Sequence, residues 1–332
     1  MEYHLSMNGM VERRMRSSII TVGSLWYSAW VEAGKPDFKA GFNPMDLEKF
    51  DEEQKELEAQ GHEVRILTRT PRKSGEFAWN PSTYTVDPTA LIGVHGVIHL
   101  AGASVSERWT NSHKRAIMDS RIQGAETLYR AIEAMDQRPE VMVSASAVGI
   151  YPNSINRVYT EKDGGAVGFL GDVVRAWESQ ADRFADLGLR VAKLRIGIVL
   201  GHGGGVLGTL LPVFRLGLGS ALGDGKHWMP WIHVDDLARM VARLATDSAL
   251  DGVWNGVGPE SSTNKDFSLT LAKVLKKPFW APAPPAWALR LALGEMAQIA
   301  LMSTHCSAQK WKDLGFEYEF NELDAALENL VG

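Results

Sequence analysis

The 332-residue sequence contains a single cysteine, Cys306, and no apolar run approaching the roughly 18 residues that cross a bilayer. One cysteine cannot form an intramolecular disulfide, and it excludes a cysteine-rich metal site. The net charge is −5, so the chain lacks the positive excess that nucleic acid or an anionic membrane attracts. We therefore expect a cytoplasmic protein that binds neither nucleic acid nor membrane, and we expect no metal site.

The N-terminus lacks the signature of an export signal. Arg13, Arg14 and Arg16 are not followed by an uninterrupted apolar stretch with a small-residue cleavage site, so no signal peptide is predicted. We interpret residues 1–17 as a disordered or tag-like extension. The rest of the chain, with 45% hydrophobic and 23% charged residues overall, has the composition of a globular protein with a sizeable core.

A glycine-rich loop is also missing from the place where the rest of the sequence calls for one. Residues 61–69 read as a helix end followed by a strand, as in the second strand of a dinucleotide-binding unit. Such proteins place a G-x-G-x-x-G loop between the first strand and the helix that precedes this point. The corresponding stretch here, residues 19–28, contains Gly23 as its one glycine. Cofactor binding depends on whether this stretch can replace the loop.

Downstream of Gly61, apolar β-branched runs alternate with helical stretches, which favours parallel strands joined by crossover helices. The candidate strands are residues 63–67, 96–100, 141–144 and 190–200, and the candidate helices are residues 111–135 and 169–187. Glycine and proline become frequent after about residue 205. We predict an α/β fold, with a Rossmann-like doubly wound parallel sheet over residues 18–204 and a small C-terminal α+β substrate lobe over residues 205–332.

The first strand of this sheet has one candidate. In a Rossmann sheet the first strand lies between the second and the fourth, so an empty position would split the sheet. Ser18–Val22 is the β-branched run upstream that can fill it. Residues 45–60 then form the crossover helix, with Leu47, Phe50 and Leu57 on one face and Gly61 as its C-terminal stop. An atypical insertion of about residues 25–42 lies between them.

Polar side chains follow two of the predicted strands at the edge where ligands of open α/β sheets bind. Arg69, with Arg72 and Lys73, follows the second strand, where a basic residue accommodates the 2′-phosphate of NADP; a solvated basic loop is an equally good interpretation. Ser146 and Tyr151 follow a later strand and could contact a reacting substrate. For Tyr151, packing at a turn is the interpretation that the residues favour.

Two further motifs predict no ligand site. Residues 203–208 satisfy G-x-G-x-x-G, but no clear strand follows within the roughly 30 residues of a second βαβ unit. His233 with Asp235 and Asp236 cannot easily converge on one cation. We predict instead that Asp235 or Asp236 caps a helix, because a carboxylate accepts the free N–H groups of a first turn.

The order and spacing of several motifs resemble one family over residues 61–330. The motifs lie at residues 99–102, 108–109, 120–121, 144–151, 177–178, 194–201, 212–219 and 231–236. Together they resemble the atypical short-chain dehydrogenases/reductases of the epimerase family, which are sugar-nucleotide-epimerase-like proteins. The resemblance implies NADP(H) as cofactor, with contacts at Thr68, Arg69, Leu100, Ala101, Arg121 and Val199.

The Tyr-x-x-x-Lys pair of short-chain dehydrogenases is absent. Aligned on Glu178, the tyrosine falls on Leu170 and the lysine on Val174, and neither can transfer a proton. Ser146 aligns best with the catalytic serine, Tyr151 is a candidate surrogate phenol, and Arg175 is a candidate cation.

Two functions therefore remain open, and the sequence leaves the oligomeric state undetermined. The first is an NADP-dependent oxidoreductase or epimerase acting on a small substrate, with a sugar nucleotide as one candidate. The second is a non-catalytic relative with impaired cofactor binding that acts as a binding or regulatory protein.

Bulky side chains in the turn predict weakened cofactor binding. Leu25, Trp26 and Tyr27 occupy positions where the backbone should approach a pyrophosphate. Replacing residues 22–28 with a Gly-Gly-Thr-Gly-type loop should therefore strengthen NADPH binding, measured by fluorescence titration. An unchanged affinity would mean that the turn is elsewhere.

Overall fold

The computed structural model describes residues 18–22, 48–202 and 204–332. The strands are β1 (Ser18–Val22), β2 (Val64–Thr68), β3 (Glu76–Asn80), β4 (Thr85–Val86), β5 (Val94–His99), β6 (Val141–Ala147), β7 (Val158–Tyr159), β8 (Arg190–Ile196), β9 (Ile198–Leu200), β10 (Trp228–Met229), β11 (Trp231–His233), β12 (Gly252–Gly256), β13 (Ser262–Thr263) and β14 (His305–Cys306). The α-helices are α1 (Glu48–Ala59), α2 (Asn111–Glu133), α3 (Phe169–Asp182), α4 (Gly205–Arg215), α5 (Val234–Thr246), α6 (Asn264–Val274), α7 (Ala286–Leu293), α8 (Ala297–Leu301), α9 (Gln309–Asp313) and α10 (Leu323–Val331). The predicted insertion, the extension before residue 18 and the turn at residues 23–28 lie outside the described residues.

A doubly wound sheet with strand order β12-β8-β6-β5-β1-β2-β3-β4 forms the centre of the protein. Strand β1 pairs in parallel with β2 on one side and with β5 on the other, with Ile19 opposite both Val64 and Gly96. The predicted α/β Rossmann-like fold is confirmed, as is the first strand at Ser18–Val22. Strand β12 adds a parallel strand beyond β8 at one edge, and β4 adds a short antiparallel strand at the other.

Strand β3 was not predicted from the sequence. Strands β2 and β3 are parallel and adjacent, but only residues 69–75 join them, whereas parallel neighbours usually need a crossover of a dozen residues or more. The Glu76 carboxylate organises this short connection by accepting the backbone N–H groups of Arg72 (2.6 Å) and Lys73 (3.1 Å). Gly75, with φ of +85°, supplies the left-handed turn that brings the chain back into the sheet.

The single strand predicted at residues 190–200 is wrong, because the chain breaks at Gly197. Strand β8 stays in the central sheet, while β9 leaves it and pairs with β11, placing Ile198 opposite Trp231. A Cβ at residue 197 would lie 2.1 Å from the carbonyl oxygen of Pro230, and that carbonyl accepts the Ile198 N–H at 2.7 Å. Only glycine at residue 197 allows the Pro230 carbonyl to come this close. The break between β8 and β9 therefore depends on this one residue.

Helix boundaries agree with the predictions in part. Helix α2 ends at Glu133, and Gly61 follows α1 with φ of +85°, as a C-terminal stop requires. The helix predicted at residues 169–187 is an α-helix only to Asp182 and then tightens into a 3-10 turn, Arg183–Leu187. The predicted crossover helix is described from Glu48 onward.

The predicted cap of α5 is also wrong. The N-cap is His233, whose Nδ1 accepts the Asp235 N–H at 3.2 Å. The buried carboxylate of Asp236 instead accepts the backbone N–H groups of Glu319 (2.8 Å) and Phe320 (3.1 Å). Asp236 thereby connects helix α5 to the C-terminal segment that contains Glu319 and Phe320.

Among the described residues, the core has one cluster on each face of the sheet, a third in the C-terminal part and a small fourth one of Trp109, Ile117 and Val173. The third cluster packs α6 and α10 against β9 and β11, with Trp231 and Phe267 among its fully buried side chains. Helix α7 contributes no buried side chain. Among the helices that the structure describes, none combines the length and apolar character that a membrane crossing demands.

We predict that Gly197→Ala lowers the free energy of unfolding by about 1–3 kcal/mol, the usual cost of overpacking. The added methyl group must displace the backbone of Pro230 rather than a flexible side chain. Gly164→Ala is the matched control, because its Cβ would meet Ile150 Cγ1 at an ordinary 3.6 Å. Denaturant unfolding of the two variants tests the prediction, and equal stability would contradict it.

Candidate functional site

The carboxyl ends of the central strands place the predicted cofactor contacts at one edge of the sheet. Val22 at the end of β1 lies opposite His99 at the end of β5, which lies opposite Ser144 in β6. Leu100 and Ala101 directly follow β5, while Thr68 ends β2 and Arg69 follows it. Val199 differs, because it lies in β9 outside the central sheet and pairs with Ile232.

Arg121 reaches this edge from α2 as a buried cation. Its guanidinium lies 4.7 Å from the ring centroid of Trp177 and donates to the carbonyl oxygens of Ala103 (3.1 Å) and Ile117 (2.9 Å). No described carboxylate lies within ion-pair distance. Burial lowers the pKa of Arg121 to about 10, so the group remains charged at neutral pH. A Cβ on Gly102 would lie 2.9 Å from Arg121 Cζ, so glycine is needed where the chain passes the guanidinium.

His99 stands beside Arg121 as a neutral imidazole. Burial and the charge of Arg121 lower the pKa of His99 to about 4. Neither ring nitrogen has a hydrogen-bond partner among the described residues, and the same holds for Trp177 Nε1 and Arg121 Nε. No chemical role was predicted for His99 from the sequence. The structure makes it part of a buried polar cluster with unused donors and one net positive charge.

Ser146 belongs to a second buried cluster, built on an ion pair. Its hydroxyl donates to Glu178 Oε1 at 2.6 Å, and Arg195 binds the same carboxylate in a bidentate manner through Nε (2.8 Å) and Nη2 (3.0 Å). Burial alone would raise the pKa of Glu178, but the hydrogen bonds from Arg195 and Ser146 outweigh it and hold this pKa below its ordinary value. Glu178 is therefore ionised, and the Ser146 proton points toward it.

Tyr151 joins the same cluster, but its hydroxyl has internal partners. The phenol donates to Asn255 Oδ1 at 2.6 Å and accepts from Arg195 Nη1 at 3.1 Å. Its ring is fully buried and stacks on Tyr159 at 5.1 Å, and burial raises the pKa of the phenol. Arg195 thus links the two predicted catalytic residues. This geometry favours the packing interpretation of Tyr151, whose catalytic role stays a prediction.

The positions aligned with the absent Tyr and Lys face Gly149. A Cβ on Gly149 would lie 3.5 Å from Leu170 Cβ and 3.8 Å from Val174 Cγ2. The surface at these positions is therefore aliphatic. Arg175, the candidate cation, points elsewhere, because its guanidinium binds the Ala166 carbonyl at 2.6 Å and the Asp172 carboxylate.

A cavity of about 680 Å³ lies between this aliphatic surface and the C-terminal helices. Gly149, Leu170 and Val167 line one side, and Arg290 and Glu295 line the other. Neither Arg290 nor Glu295 was predicted from the sequence to have a role, because neither belongs to a recognised motif. In the part of the chain that the structure describes, no group of three metal-ligating side chains comes together.

Comparison with known proteins gives matches over most of the chain. The NAD dependent epimerase/dehydratase family matches residues 54–255, and a domain of unknown function (DUF1731) matches residues 284–330. An epimerase family protein of Staphylococcus epidermidis is 38% identical over 238 residues, which are 71% of this chain and 79% of the relative.

Solved structures share the fold. The human epimerase family protein SDR39U1 (isoform 2), solved with NADPH, has a TM-score of 0.78 and 28% identity, covering 94% of this chain and 98% of that chain. MoeE5 in complex with UDP-glucose and NAD has a TM-score of 0.69 and 20% identity, covering 95% and 97%. At 20% identity, the similarity to MoeE5 supports the fold alone.

We predict that Glu178→Gln lowers the free energy of unfolding by about 3–5 kcal/mol, because it leaves the Arg195 charge buried without its partner. Lys55→Gln is the control, because it removes one partner of an ion pair whose lysine is 64% exposed, and such changes stay within about 0.5 kcal/mol.

The difference between wild type and Glu178→Gln should also depend on pH. The pKa of Glu178 is depressed in the folded state, so its stabilisation is complete above the unfolded value of about 4.3. It is lost as the pH falls through the lower folded value. Urea unfolding at pH 7 and below pH 4 measures this, and a difference that grows in acid would contradict the assignment.

Proposed function

The chain belongs to the NAD-dependent epimerase/dehydratase family, and from this premise we propose that it is an NADP(H)-dependent oxidoreductase or epimerase of the atypical short-chain dehydrogenase/reductase group, with a small-molecule substrate. The buried guanidinium of Arg121 carries the proposal. A buried charge normally has a counter-charge, and Arg121 has none among the described residues. The phosphates of a dinucleotide would supply it at the sheet edge where such cofactors bind.

The unused donors around Arg121 support the same assignment. Arg121 Nε and Trp177 Nε1 are buried without described partners, although buried polar groups usually have them. Because residue 102 is a glycine, the backbone passes close to the Arg121 guanidinium with no side chain between them. We propose that Thr68, Arg69, Leu100, Ala101, Arg121 and Val199 hold the cofactor.

NADP is proposed over NAD because of the charge after β2. The end of this strand meets the adenosine ribose, and Arg69, Arg72 and Lys73 provide the cations that a 2′-phosphate requires. The human relative was solved with NADPH, which supports this choice, whereas MoeE5 was solved with NAD.

In the proposed reaction, the Ser146 hydroxyl can act toward the substrate only as a hydrogen-bond acceptor. When bound, the nicotinamide donates or accepts a hydride, and the substrate oxygen must then be held close to Ser146. Because the Ser146 hydroxyl donates to ionised Glu178, its oxygen is left as an acceptor. Ser146 would therefore orient a substrate hydroxyl group, with Arg195 holding Glu178 in place. Tyr151 would position Arg195 through its own hydrogen bond.

The aliphatic surface at Leu170 and Val174 favours a second candidate function. Neither side chain can transfer a proton, and both lie beside Gly149 at the positions of the missing pair. A non-catalytic relative would bind the nucleotide, weakly if the turn at residues 23–28 impairs the site, and would act as a binding or regulatory protein.

NADPH titration, followed by cofactor fluorescence, tests the proposal. Saturable binding in the micromolar range is expected, with weaker binding of NADH. Arg121→Met should weaken NADPH binding about tenfold or more, because a charge-assisted hydrogen bond contributes about 1.5–3 kcal/mol. Arg69→Glu should abolish it by repelling the 2′-phosphate.

Arg115→Met is the matched control, since Arg115 lies exposed on the same helix α2. Absence of saturable binding at millimolar NADPH would refute the enzyme function. Micromolar binding that survives both Arg69→Glu and Arg121→Met would place the cofactor elsewhere. Binding with the expected pattern but no turnover in a substrate screen would favour the non-catalytic relative.

A further inference from the structure

The cavity beside Gly149 continues toward the C-terminal segment around one arginine. The first cavity, of about 680 Å³, and a second one of about 550 Å³ share Asn153, Arg290 and Leu301 in their walls. Helix α7 carries Arg290, and α8 ends at Leu301. A molecule lying beside Gly149 can therefore contact the exposed side chain of Arg290 within the same cavity.

Arg290 is the uncompensated cation of this space. Its guanidinium forms no hydrogen bond or ion pair with the described residues. The other charged side chain of the first cavity, Glu295, is engaged by Lys114 Nζ at 2.8 Å. This ion pair joins α2 to the C-terminal segment and neutralises the carboxylate.

The second cavity adds no charge that neutralises Arg290. The Asp224 carboxylate accepts the Lys226 N–H at 3.0 Å and makes no ion pair with Arg290. Burial lowers the pKa of His227, an effect that nearby Asp224 partly opposes, so the imidazole is neutral at neutral pH.

Away from Arg290, the first cavity is predominantly apolar. Leu170, Ala297 and Met302 line it, together with the small residues Gly149 and Gly171. Val167 stands at its edge with 99% of its surface exposed. Contact between this exposed valine and an apolar ligand would favour binding, because burial of apolar surface lowers the free energy.

We propose that the substrate is a small molecule with an apolar body and a single anionic group, a carboxylate or a phosphate, which Arg290 binds. This inference rests on the proposed function and narrows its substrate class. A nucleoside diphosphate sugar is disfavoured, because its two phosphates would face one free cation and its hydroxyl groups a cavity that is predominantly apolar. The guanidinium instead matches the bidentate geometry of one carboxylate or phosphate group.

Binding of matched probes to the full chain tests this proposal. The probes are phenylacetate, phenyl phosphate, neutral phenylacetamide, acetate and UDP-glucose, each measured by ligand-observed NMR with and without NADPH. Phenylacetate or phenyl phosphate should bind at least tenfold more tightly than phenylacetamide, and the tighter of the two identifies the anionic group. Acetate should bind at least tenfold more weakly than phenylacetate, because it lacks the apolar body.

Arg290→Gln should reduce anion binding at least tenfold and leave phenylacetamide binding unchanged. Arg215→Gln is the matched control, since Arg215 is exposed in the C-terminal part and lines neither cavity. Both variants should keep the wild-type melting temperature. Equal binding of amide and anions, or anion binding insensitive to Arg290→Gln, would overturn the proposal.

UDP-glucose binding more tightly than phenylacetate and depending on Arg290 would overturn it as well. NADPH affinity should be the same in Arg290→Gln and wild type. If NADPH fails to bind while Arg290-dependent anion binding persists, the proposed function fails and the anion site stands. If NADPH binds and the anions do not, the reverse holds.

Discussion

The ion pair between Arg195 and Glu178 organises the site more than any other interaction. The side chains of Arg195 and Glu178 are 7% and 11% exposed, and all three guanidinium nitrogen atoms of Arg195 donate hydrogen bonds. It binds Glu178 twice, the Tyr151 hydroxyl once, and the carbonyl oxygens of Glu161 and Asp163. Strand β8, helix α3, the turn after β6 and the loop at residues 161–163 are therefore held by one cation. A buried charge costs several kcal/mol in desolvation, so this arrangement is stable only when all its partners are present.

Three arginines show how the same side chain serves different purposes according to its surroundings. Arg195 is saturated by internal partners and has a structural and positioning role. Arg121 is equally buried, but its described hydrogen bonds go to carbonyl oxygens and none to a carboxylate, so its charge is left for an anion from outside. Arg290 is exposed at the junction of two cavities and has no described partner. The residue type alone does not distinguish these roles, because each depends on which acceptors the fold brings within reach.

The sequence predicted the fold well where a pattern is local. The β-branched run at Ser18–Val22 was assigned to the first strand because the sheet needs a neighbour for β2, and the register confirms it. Strand β3 was missed because its connection to β2 lacks the helix that normally separates parallel strands. The break at Gly197 was missed because residues 190–200, which are rich in β-branched and other apolar side chains, read as one strand. The carbonyl of Pro230, which forces that break, lies far along the chain.

By itself, the sequence determined the Rossmann-like fold, the edge of the sheet at which the candidate site lies, and the absence of the Tyr-x-x-x-Lys pair. These properties follow from hydrophobic periodicity and from motifs whose residues lie close together in the sequence. The tertiary structure alone decided that Tyr151 is buried against Asn255, that Ser146 directs its proton to Glu178, and that Arg290 meets the space beside Gly149. Each of these facts joins residues far apart in the chain. Burial, charge pairing and hydrogen bonding between them depend on distances that no local pattern encodes.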